Sequence, residues 1–332
     1  TFTICVSVAL ASLVVNDYLT REGENGPEVY GLILAAAIGG VVMVSANDLL
    51  VLFLGLETLS LSFYLLTASS RSRTQSGEAG LKYFILGGSA SAFFLYGVAL
   101  LFGASGTTNL QSMATVFAGE VTVPANNGLL LAGIALLLVG FAFKVSLVPF
   151  HVWTPDVYQG APTPITALMG SVGKVAAFAA LIRVFMIALP SRIDDWRPAV
   201  LVLALLTLVV GSVLAVVQTD VKRMLAYSSI SHAGFILVGL EAAAHIGHAD
   251  SHLGISSVTG YLFIYSILVI GTFAVVSVVA GQGDNATTLD AFKGLGKKRP
   301  VLALGMTVLL LAQAGVPLTS GFVAKFGIIR AA

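Results

Sequence analysis

The chain has 332 residues, of which 57% are hydrophobic and only 10% are charged, and its formal net charge is +1. Soluble domains carry about 25% charged residues, so this composition excludes a soluble globular protein, and the small net charge gives no indication of nucleic-acid binding. The single cysteine, Cys5, excludes a disulfide framework and any cysteine-ligated metal or iron–sulfur site within the chain. We therefore expect an all-α polytopic membrane protein.

Apolar runs long enough to cross a membrane recur along the whole chain. A helix needs about 20 mostly apolar residues to span the hydrocarbon core, and on that basis we predict about ten crossings. They lie near residues 2–17, 30–46, 49–68, 81–103, 128–148, 168–189, 199–217, 223–241, 257–281 and 300–329.

The two ends of the chain lack the usual boundary signals. The chain opens on TFTICVSVALASLVV, with no methionine and no basic segment, which does not fit a signal peptide. It closes only a few residues after Pro317, inside an apolar run. We expect a piece of a longer protein, with a naturally short protein as the alternative.

The loops differ strongly in their content of lysine and arginine. One set of alternate loops comprises residues 18–29, 69–82, 218–223 and 282–299. This set holds ten basic residues, whereas the remaining loops hold only Arg192 and Arg197. Because cytoplasmic loops carry an excess of basic residues, we predict that the first set faces the cytoplasm. The membrane face with these four loops is called the basic side below.

The fifth predicted crossing is interrupted by a polar, proline-rich stretch. Loop parity requires an even number of crossings within residues 128–189, and two crossings use only about 40 of these 62 residues. Lipid does not tolerate irregular backbone, so we place the surplus inside the protein as a turn and a short half-helix near residues 149–164. The residues predicted to shape this broken helix are Pro149, His151, Trp153, Pro155, Asp156, Tyr158, Pro162 and Pro164.

A second interruption, QAGVPLTSGFVAKF, breaks the last predicted span near residues 314–321, around Pro317. Paired broken spans in corresponding places of two halves indicate an inverted repeat around a binding path. We predict an N-terminal flanking helix in residues 1–29, a first repeat unit in 30–198 and a second, truncated unit in 199–332. The halves share no strong similarity at the residue level, so the repeat rests on the paired breaks.

Few ionisable residues fall well inside the predicted spans. They are Glu57, Lys144, Lys174, His232 and Lys325. A charge at mid-membrane costs roughly 3 kcal/mol on insertion scales, so such residues mark functional sites. Burial lowers the proton affinity of a lysine and a nearby carboxylate raises it, so lysines placed between these influences can load and unload protons. We predict a proton-carrying row of lysines at the midplane, with Glu57 as a switch for Lys144.

Simpler roles remain open for several of these residues. Lys174 and Lys325 could be span-end lysines that reach for headgroups, and His232 could be a hydrogen-bonded core residue. Lys82 is predicted to be an anchor or an ion-pair partner, and Asp156 is a candidate proton relay. The chain has no set of metal ligands, no phosphate-binding loop and no nucleophile–base pair, so we predict no bound metal or cofactor. A structural bundle with merely paired lysines is a further alternative.

Several runs carry a family resemblance. The run FKVSLVPFHVWTPDVYQGAPTP (143–164) resembles the signature of the antiporter-like membrane subunits of proton-pumping NADH:quinone oxidoreductase, respiratory complex I. Its form PDVYQGAP is similar to the subunit N branch of that family, called subunit 2 in organelles. The other similar runs follow in family order: GLETLSLSFYLL (55–66), LKYFILGGSASAFFLYG (81–97), VKRMLAYSSISHAGFILVGL (221–240) and GVPLTSGFVAKF (315–326).

The resemblance implies fourteen helices with two inverted five-helix repeats, of which this chain would hold helices three to twelve. It places the family's functional carboxylate on Glu57, its channel lysines on Lys144, Lys174 and Lys325, and its histidine on His232. It implies FMN, iron–sulfur clusters and quinone in partner subunits, with a neighbouring antiporter-like subunit, small membrane subunits and lipids as contacts. The implied location is a bacterial plasma membrane, with organellar inner or thylakoid membranes as alternatives. The alternative function is a cation/proton antiporter subunit of the related multi-subunit family.

Overall fold

The computed structural model describes residues 1–23, 26–119, 127–244 and 251–332. Within these ranges the secondary structure is helical apart from two isolated bridges. Nine of the described helices are long and apolar enough to cross a membrane, and a shorter apolar helix, Pro300–Ala314, follows them. The chain is therefore an integral membrane protein, as its composition predicts.

The helices follow the predicted order with shifted ends. They are α1 (Phe2–Glu22), α2 (Pro27–Ser45), α3 (Leu49–Thr67), α4 (Thr74–Ser105), α5 (Leu110–Phe117), α6 (Asn127–Lys144), α7 (Trp153–Gly160), α8 (Thr163–Ala188), α9 (Ile193–Val216), α10 (Val221–Ala243), α11 (Ser251–Ala280), α12 (Pro300–Ala314) and α13 (Ser320–Ala331). The largest correction concerns α4, which begins at Thr74 and not near residue 81, because its polar first turns continue the helix beyond the apolar run.

The four basic-side loops meet at one end of the bundle. Arg21 donates a hydrogen bond to the backbone oxygen of Ser277 at 2.7 Å, and the N–H of Gly283 donates to Glu22 at 2.7 Å. Arg73 lies 3.2 Å from Asp284. With Lys222, which lies 3.5 Å from Asp284, these contacts bring all four loops to one end of the bundle, so the predicted grouping of the loops is confirmed.

The first interruption separates α6 from α7. The helix stops at Lys144, and two turns lead to Trp153. The freed backbone groups find partners inside the protein: the N–H of Val148 donates to the Thr207 hydroxyl at 3.0 Å, and the Trp153 indole donates to the Phe143 carbonyl at 3.0 Å. Irregular backbone at this depth survives because protein groups replace the hydrogen bonds that lipid cannot supply.

The prolines predicted to shape this region act at three different points. Pro149 lies in the turn itself, whereas Pro155 sits in the first turn of α7. Pro162 caps the start of α8, and Pro164 occupies its first turn, where a missing N–H costs nothing. Pro317 lies in the second interruption, between α12 and α13.

Two matching turns start α3 and α10 on opposite ends of the bundle. Asp48 caps α3 and accepts a hydrogen bond from the Thr108 hydroxyl at 2.6 Å, while the N–H of the residue after Asp48 donates to the Thr108 carbonyl at 2.9 Å. Asp220 caps α10 in the same way. It accepts a hydrogen bond from the Thr287 hydroxyl at 2.5 Å, and the N–H of the residue after Asp220 donates to the Thr287 carbonyl at 2.8 Å. Each turn also forms an isolated antiparallel bridge. The second turn belongs to the basic side and the first to the opposite side.

Candidate functional site

Glu57 lies half-buried on α3 and accepts a hydrogen bond from the Ser91 hydroxyl of α4. Ser91 lines a small cavity of about 10 Å³ together with Tyr64 and Lys144. That volume is close to the minimum needed by one water molecule. The carboxylate of Glu57 is therefore joined through one hydroxyl to a space that the Lys144 side chain also borders.

Lys144 is the last residue of α6 and is only 8% exposed. Its ammonium donates a hydrogen bond to the Ser60 hydroxyl at 2.5 Å and lies 5.9 Å from the Tyr64 ring centroid and 5.6 Å from that of Tyr83. Aromatic faces stabilise a cation without taking its proton. Within the described part of the chain, no ion pair joins this ammonium to Glu57. The predicted proximity of Lys144 and Glu57 is therefore indirect: Lys144 bonds Ser60, which lies about one turn after Glu57 on α3.

Replacing Gly87 by alanine should disturb the aromatic support of Lys144. An added Cβ would lie 2.1 Å from the Tyr64 hydroxyl oxygen, so the ring would have to move. Gly88 offers a matched control, because nothing lies within 4 Å of its added Cβ. We expect Gly87→Ala to lower the unfolding free energy by about 1–3 kcal/mol relative to Gly88→Ala. Thermal unfolding of the assembled complex measures the difference, and equal unfolding temperatures would contradict it.

Lys174 lies deep within α8 and is 2% exposed. Its ammonium donates a hydrogen bond to the Ser229 carbonyl of α10 and lies 5.9 Å from the Tyr265 ring centroid of α11. It directly follows five residues in π-helical conformation, Met169–Gly173, a local widening that often accompanies functional sites. Because the helix begins at Thr163, the interpretation of Lys174 as a span-end lysine is wrong.

His232 and Lys325 share a second small cavity, of about 10 Å³, with Tyr261 and Tyr265. The Nδ1 atom of His232 lies 2.5 Å from the Tyr261 hydroxyl, and its ring centroid lies 4.7 Å from that of Tyr265. Lys325 donates to the Ala314 carbonyl at 3.1 Å, across the second interruption. The structure therefore brings these two predicted residues to one site.

Tyr265 connects Lys174 with the site of His232, because both groups contact its ring. The Tyr265 hydroxyl and the Ser229 hydroxyl are buried and have no hydrogen-bond partner among the described residues. Lys174, His232 and Lys325 thus form one group lined by polar atoms.

Among the described residues, no hydrogen bond joins the Glu57–Lys144 group to the Lys174 group, and a run of aromatic contacts begins at Tyr83 beside Lys144. The Tyr83 ring stacks on Trp153 with centroids 4.4 Å apart, and Trp153 meets Tyr158 edge-on at 6.4 Å. The predicted row thus falls into two groups in the part of the chain that the structure describes.

Asp156 lies outside both groups, at the basic side. Its carboxylate pairs with Lys82 at 2.9 Å and with Arg223 at 2.6 Å, and Lys82 also pairs with Glu78 at 2.7 Å. Lys82 is therefore an ion-pair partner, as predicted. Asp156 does not contact Lys144, Lys174 or Lys325, so its predicted role as a proton relay has no supporting contact among the described residues.

The neutral partners of the charged groups are not among the residues predicted from the sequence. The missed residues are Ser60, Tyr64, Tyr83, Ser91, Ser229, Tyr261 and Tyr265. The helical period could have found two of them, because Ser60 and Tyr64 follow Glu57 by three and seven residues and share its face of α3. The missed residues on α4 and α11 have no such spacing relation to a predicted charged residue that would have identified them.

Interrupted membrane helices with buried ammonium groups beside them define an antiporter-like polytopic membrane protein. The chain belongs to the NADH:quinone oxidoreductase/Mrp antiporter transmembrane family, whose profile matches residues 46–332. The resemblance found in the sequence motifs is thereby confirmed.

Individual relatives agree with this assignment. The chain is 44% identical over 322 residues to NADH-quinone oxidoreductase subunit N of Trichlorobacter lovleyi, covering 97% of this chain and 64% of that one. A chain of respiratory complex I from Thermus thermophilus superposes with a TM-score of 0.77 at 38% identity, covering 99% of this chain and 70% of that chain. A chain of the Mrp complex from Dietzia sp. shares the fold, with a TM-score of 0.83 at 23% identity, and covers 99% and 59% respectively. The chain spans 57% to 66% of the length of the curated relatives it matches.

Proposed function

We propose that the chain is the proton-translocating part of a membrane-arm subunit of NADH:quinone oxidoreductase. The observation that carries this proposal is the bonding of its buried lysines. Lys144, Lys174 and Lys325 donate to a hydroxyl or to backbone carbonyls, and none lies within 4.0 Å of a carboxylate among the described residues. A buried ammonium without a fixed counter-ion gives up its proton more easily than a salt-bridged one. This bonding argues against the alternative that the lysines are merely paired.

The proposed architecture consists of a flanking helix in residues 1–29 and two inverted repeats in 30–198 and 199–332. The two aspartate–threonine turns support it, because they start equivalent helices at opposite membrane faces, as an inverted repeat requires. The register agrees as well: Ser60 follows Asp48 by twelve residues, and His232 follows Asp220 by twelve. The equivalent positions thus carry the partner of Lys144 and the neighbour of Lys325.

Electron transfer is assigned to partner subunits in this proposal. The chain has one cysteine, whereas iron–sulfur clusters take up to four cysteine ligands. FMN, the clusters and quinone would lie in other subunits, and reduction of quinone there would drive proton movement here. The partners would be a neighbouring antiporter-like subunit and small membrane subunits, with lipids around them. The location would be a bacterial plasma membrane with the basic side in the cytoplasm, because the relatives compared are bacterial.

The second candidate function is a cation/proton antiporter subunit, which the shared fold with the Mrp complex favours. A sodium site needs a cage of oxygen ligands. The site instead places the ammonium groups of Lys174 and Lys325 beside His232, Tyr261 and Tyr265. This arrangement repels metal cations and suits protons. The two functions differ in whether proton movement requires quinone reduction or sodium.

Glu57→Gln tests the proposed function in membrane vesicles that contain the assembled enzyme. The amide keeps the shape and can still bond Ser91, but it removes the charge that acts on the neighbouring lysine. We expect proton uptake driven by NADH to fall about tenfold, which corresponds to about 1.4 kcal/mol, while assembly is retained. Quenching of a pH-sensitive dye measures uptake, and native gel analysis measures assembly.

Glu28→Gln is the matched control for Glu57→Gln, because Glu28 is exposed in the first turn of α2 and belongs to none of these groups. Its uptake should stay close to that of the unmodified enzyme. Normal uptake in Glu57→Gln would contradict the proposal. Sodium-dependent proton exchange without NADH would favour the antiporter function.

A further inference from the structure

A cleft of about 570 Å³ opens at the basic side between α1, α2, α3 and the start of α8. Apolar side chains from all four helices form its walls, among them Val15, Leu32, Leu65 and Ile165. Glu22, the last residue of α1, lies at its outer end, and Val15 precedes Glu22 by seven residues. At a rise of about 1.5 Å per residue, the cleft therefore reaches roughly 10 Å into the membrane along α1. It is called the α1–α3 cleft below.

The α1–α3 cleft exists because α2 and α3 touch at one crossing point and diverge from it toward the basic side. At the crossing, a Cβ added to Gly39 would lie 2.5 Å from the backbone nitrogen of Leu59, so the two helices are in direct contact there. Leu32 and Leu65 lie about two turns from that contact, and both line the cleft. The Leu65 side chain is 59% exposed, so this wall of the cleft opens to the lipid phase.

The loop after α3 places three hydrogen-bond donors at the outer end of the cleft. They are the hydroxyls of Ser69 and Ser70 and the guanidinium of Arg71. None of these side chains has a hydrogen-bond or ion-pair partner among the described residues. Arg21 and Arg73, the nearby arginines of the basic side, are in contrast both held by protein groups. A free guanidinium beside two hydroxyls suits a phosphate group.

The α1 wall of the cleft carries a carboxylate. Glu22 is half-buried, and one of its oxygens accepts a hydrogen bond from the N–H of Gly283 at 2.7 Å, which fixes the position of the group. Its other oxygen has no partner among the residues that the structure describes. Glu28 also borders the cleft, but it is exposed at the rim, where water and salt screen its charge. The outer end of the cleft thus presents both signs of charge above apolar walls.

We propose that the α1–α3 cleft binds one phosphatidylethanolamine molecule from the basic-side leaflet. The phosphate lies beside Arg71 and the neighbouring hydroxyls, the ammonium beside Glu22, and the acyl chains leave the cleft past Leu32 and Leu65. An ethanolamine headgroup complements both charges, whereas a glycerol headgroup has no cation for the carboxylate and a choline headgroup has no N–H to donate. The volume falls within the range of about 300–1,000 Å³ that small-molecule sites occupy. This site goes beyond the proposed function and does not depend on it.

Photolabelling of the assembled enzyme tests the occupant. The enzyme is placed in phosphatidylcholine nanodiscs with a fixed fraction of phosphatidylethanolamine that carries a diazirine near the glycerol end of one acyl chain. We expect adducts on the peptides of Val15 and Leu32, and fewer of them when unlabelled phosphatidylethanolamine replaces part of the phosphatidylcholine. Phosphatidylglycerol in its place should leave the adducts unchanged. No adducts on these peptides, or equal competition by the two lipids, would overturn the proposal.

Arg71→Gln tests the contact with the phosphate. Glutamine keeps a polar side chain but removes the positive charge, so we expect labelling of the cleft to fall about fivefold, the change for one partly solvated charge pair. Arg299→Gln is the matched control, because Arg299 is exposed on the basic side, does not line the cleft and has no ion-pair partner among the described residues. Equal labelling in the two variants would show contact with bulk lipid only and would contradict the site.

Leu65→Trp tests the path of the acyl chains, because the larger side chain narrows the side of the cleft that opens to lipid. Leu61→Trp is its control: Leu61 lies one turn earlier on the same face of α3, is 50% exposed and does not line the cleft. We expect adducts on the Val15 and Leu32 peptides to fall only in Leu65→Trp, with assembly of both variants checked on native gels. Unchanged labelling in assembled Leu65→Trp would overturn the proposal. The readout is lipid labelling and not proton uptake, so this outcome would leave the proposed function standing.

Discussion

Lys174→Met is expected to abolish NADH-driven proton uptake while the subunit still assembles. Lys174 joins α8 to both α10 and α11, through Ser229 and Tyr265. Methionine has a similar length and no charge, so it fills the same space and removes the exchangeable proton. The main structural loss is one hydrogen bond to the Ser229 carbonyl, about 1–3 kcal/mol. Dye quenching in vesicles measures uptake, and we expect a loss of at least about tenfold.

Lys297→Met is the matched control for Lys174→Met, because Lys297 is exposed on the basic side. It should leave both uptake and assembly unchanged. Proton uptake in Lys174→Met equal to that of this control, at equal amounts of assembled enzyme, would show that Lys174 carries no proton. Loss of assembly would be visible in the native gel and would be separated from loss of transport.

Lys144→Ala is the second substitution with a large expected effect. The side chain lies between the Ser60 hydroxyl and the rings of Tyr64 and Tyr83, at the point where α6 stops. Removing it deletes the one ammonium that borders the cavity next to Ser91 among the residues the structure describes. We expect uptake to fall about tenfold or more, with the enzyme still assembled, because the neighbouring hydroxyl and rings remain satisfied without the charge. The same vesicle assay measures the change.

Lys144→Arg tests whether the cation alone accounts for the effect. Arginine keeps the positive charge over the two rings but holds its proton. We expect uptake in this variant to stay as low as in Lys144→Ala. Recovery of uptake with arginine would assign Lys144 a packing role and would contradict its place in a proton path.

The membrane spans and both interruptions could be predicted from the sequence because they follow from a local property. Hydrocarbon excludes unpaired backbone groups and charges, so apolar runs must become helices, and proline-rich breaks within them must be buried in protein. The prediction of where helices end was less accurate. α4 extends to Thr74 because its first turns leave the apolar region, and Lys82 there is held by Glu78 and Asp156.

The candidate site was predictable only in part. The five ionisable residues stood out because a charge inside an apolar run is costly wherever the rest of the chain goes. Lys222 did not stand out, because it lies at the edge of a span where a solvated lysine is the usual case. Its burial depends on Asp284, which is distant in sequence and reaches it through the turn that follows α11.

The sequence by itself determined that the chain is a helical membrane protein, which helices are broken, and which charges must be buried. These features depend on the cost of placing each residue in hydrocarbon, which is set within a single span. Only the tertiary structure decided which neutral groups meet those charges, that the row falls into two groups, and that Lys222 joins a buried cluster. Those features depend on the packing of helices that are far apart in the chain, and hydrogen-bond partners are fixed by that packing.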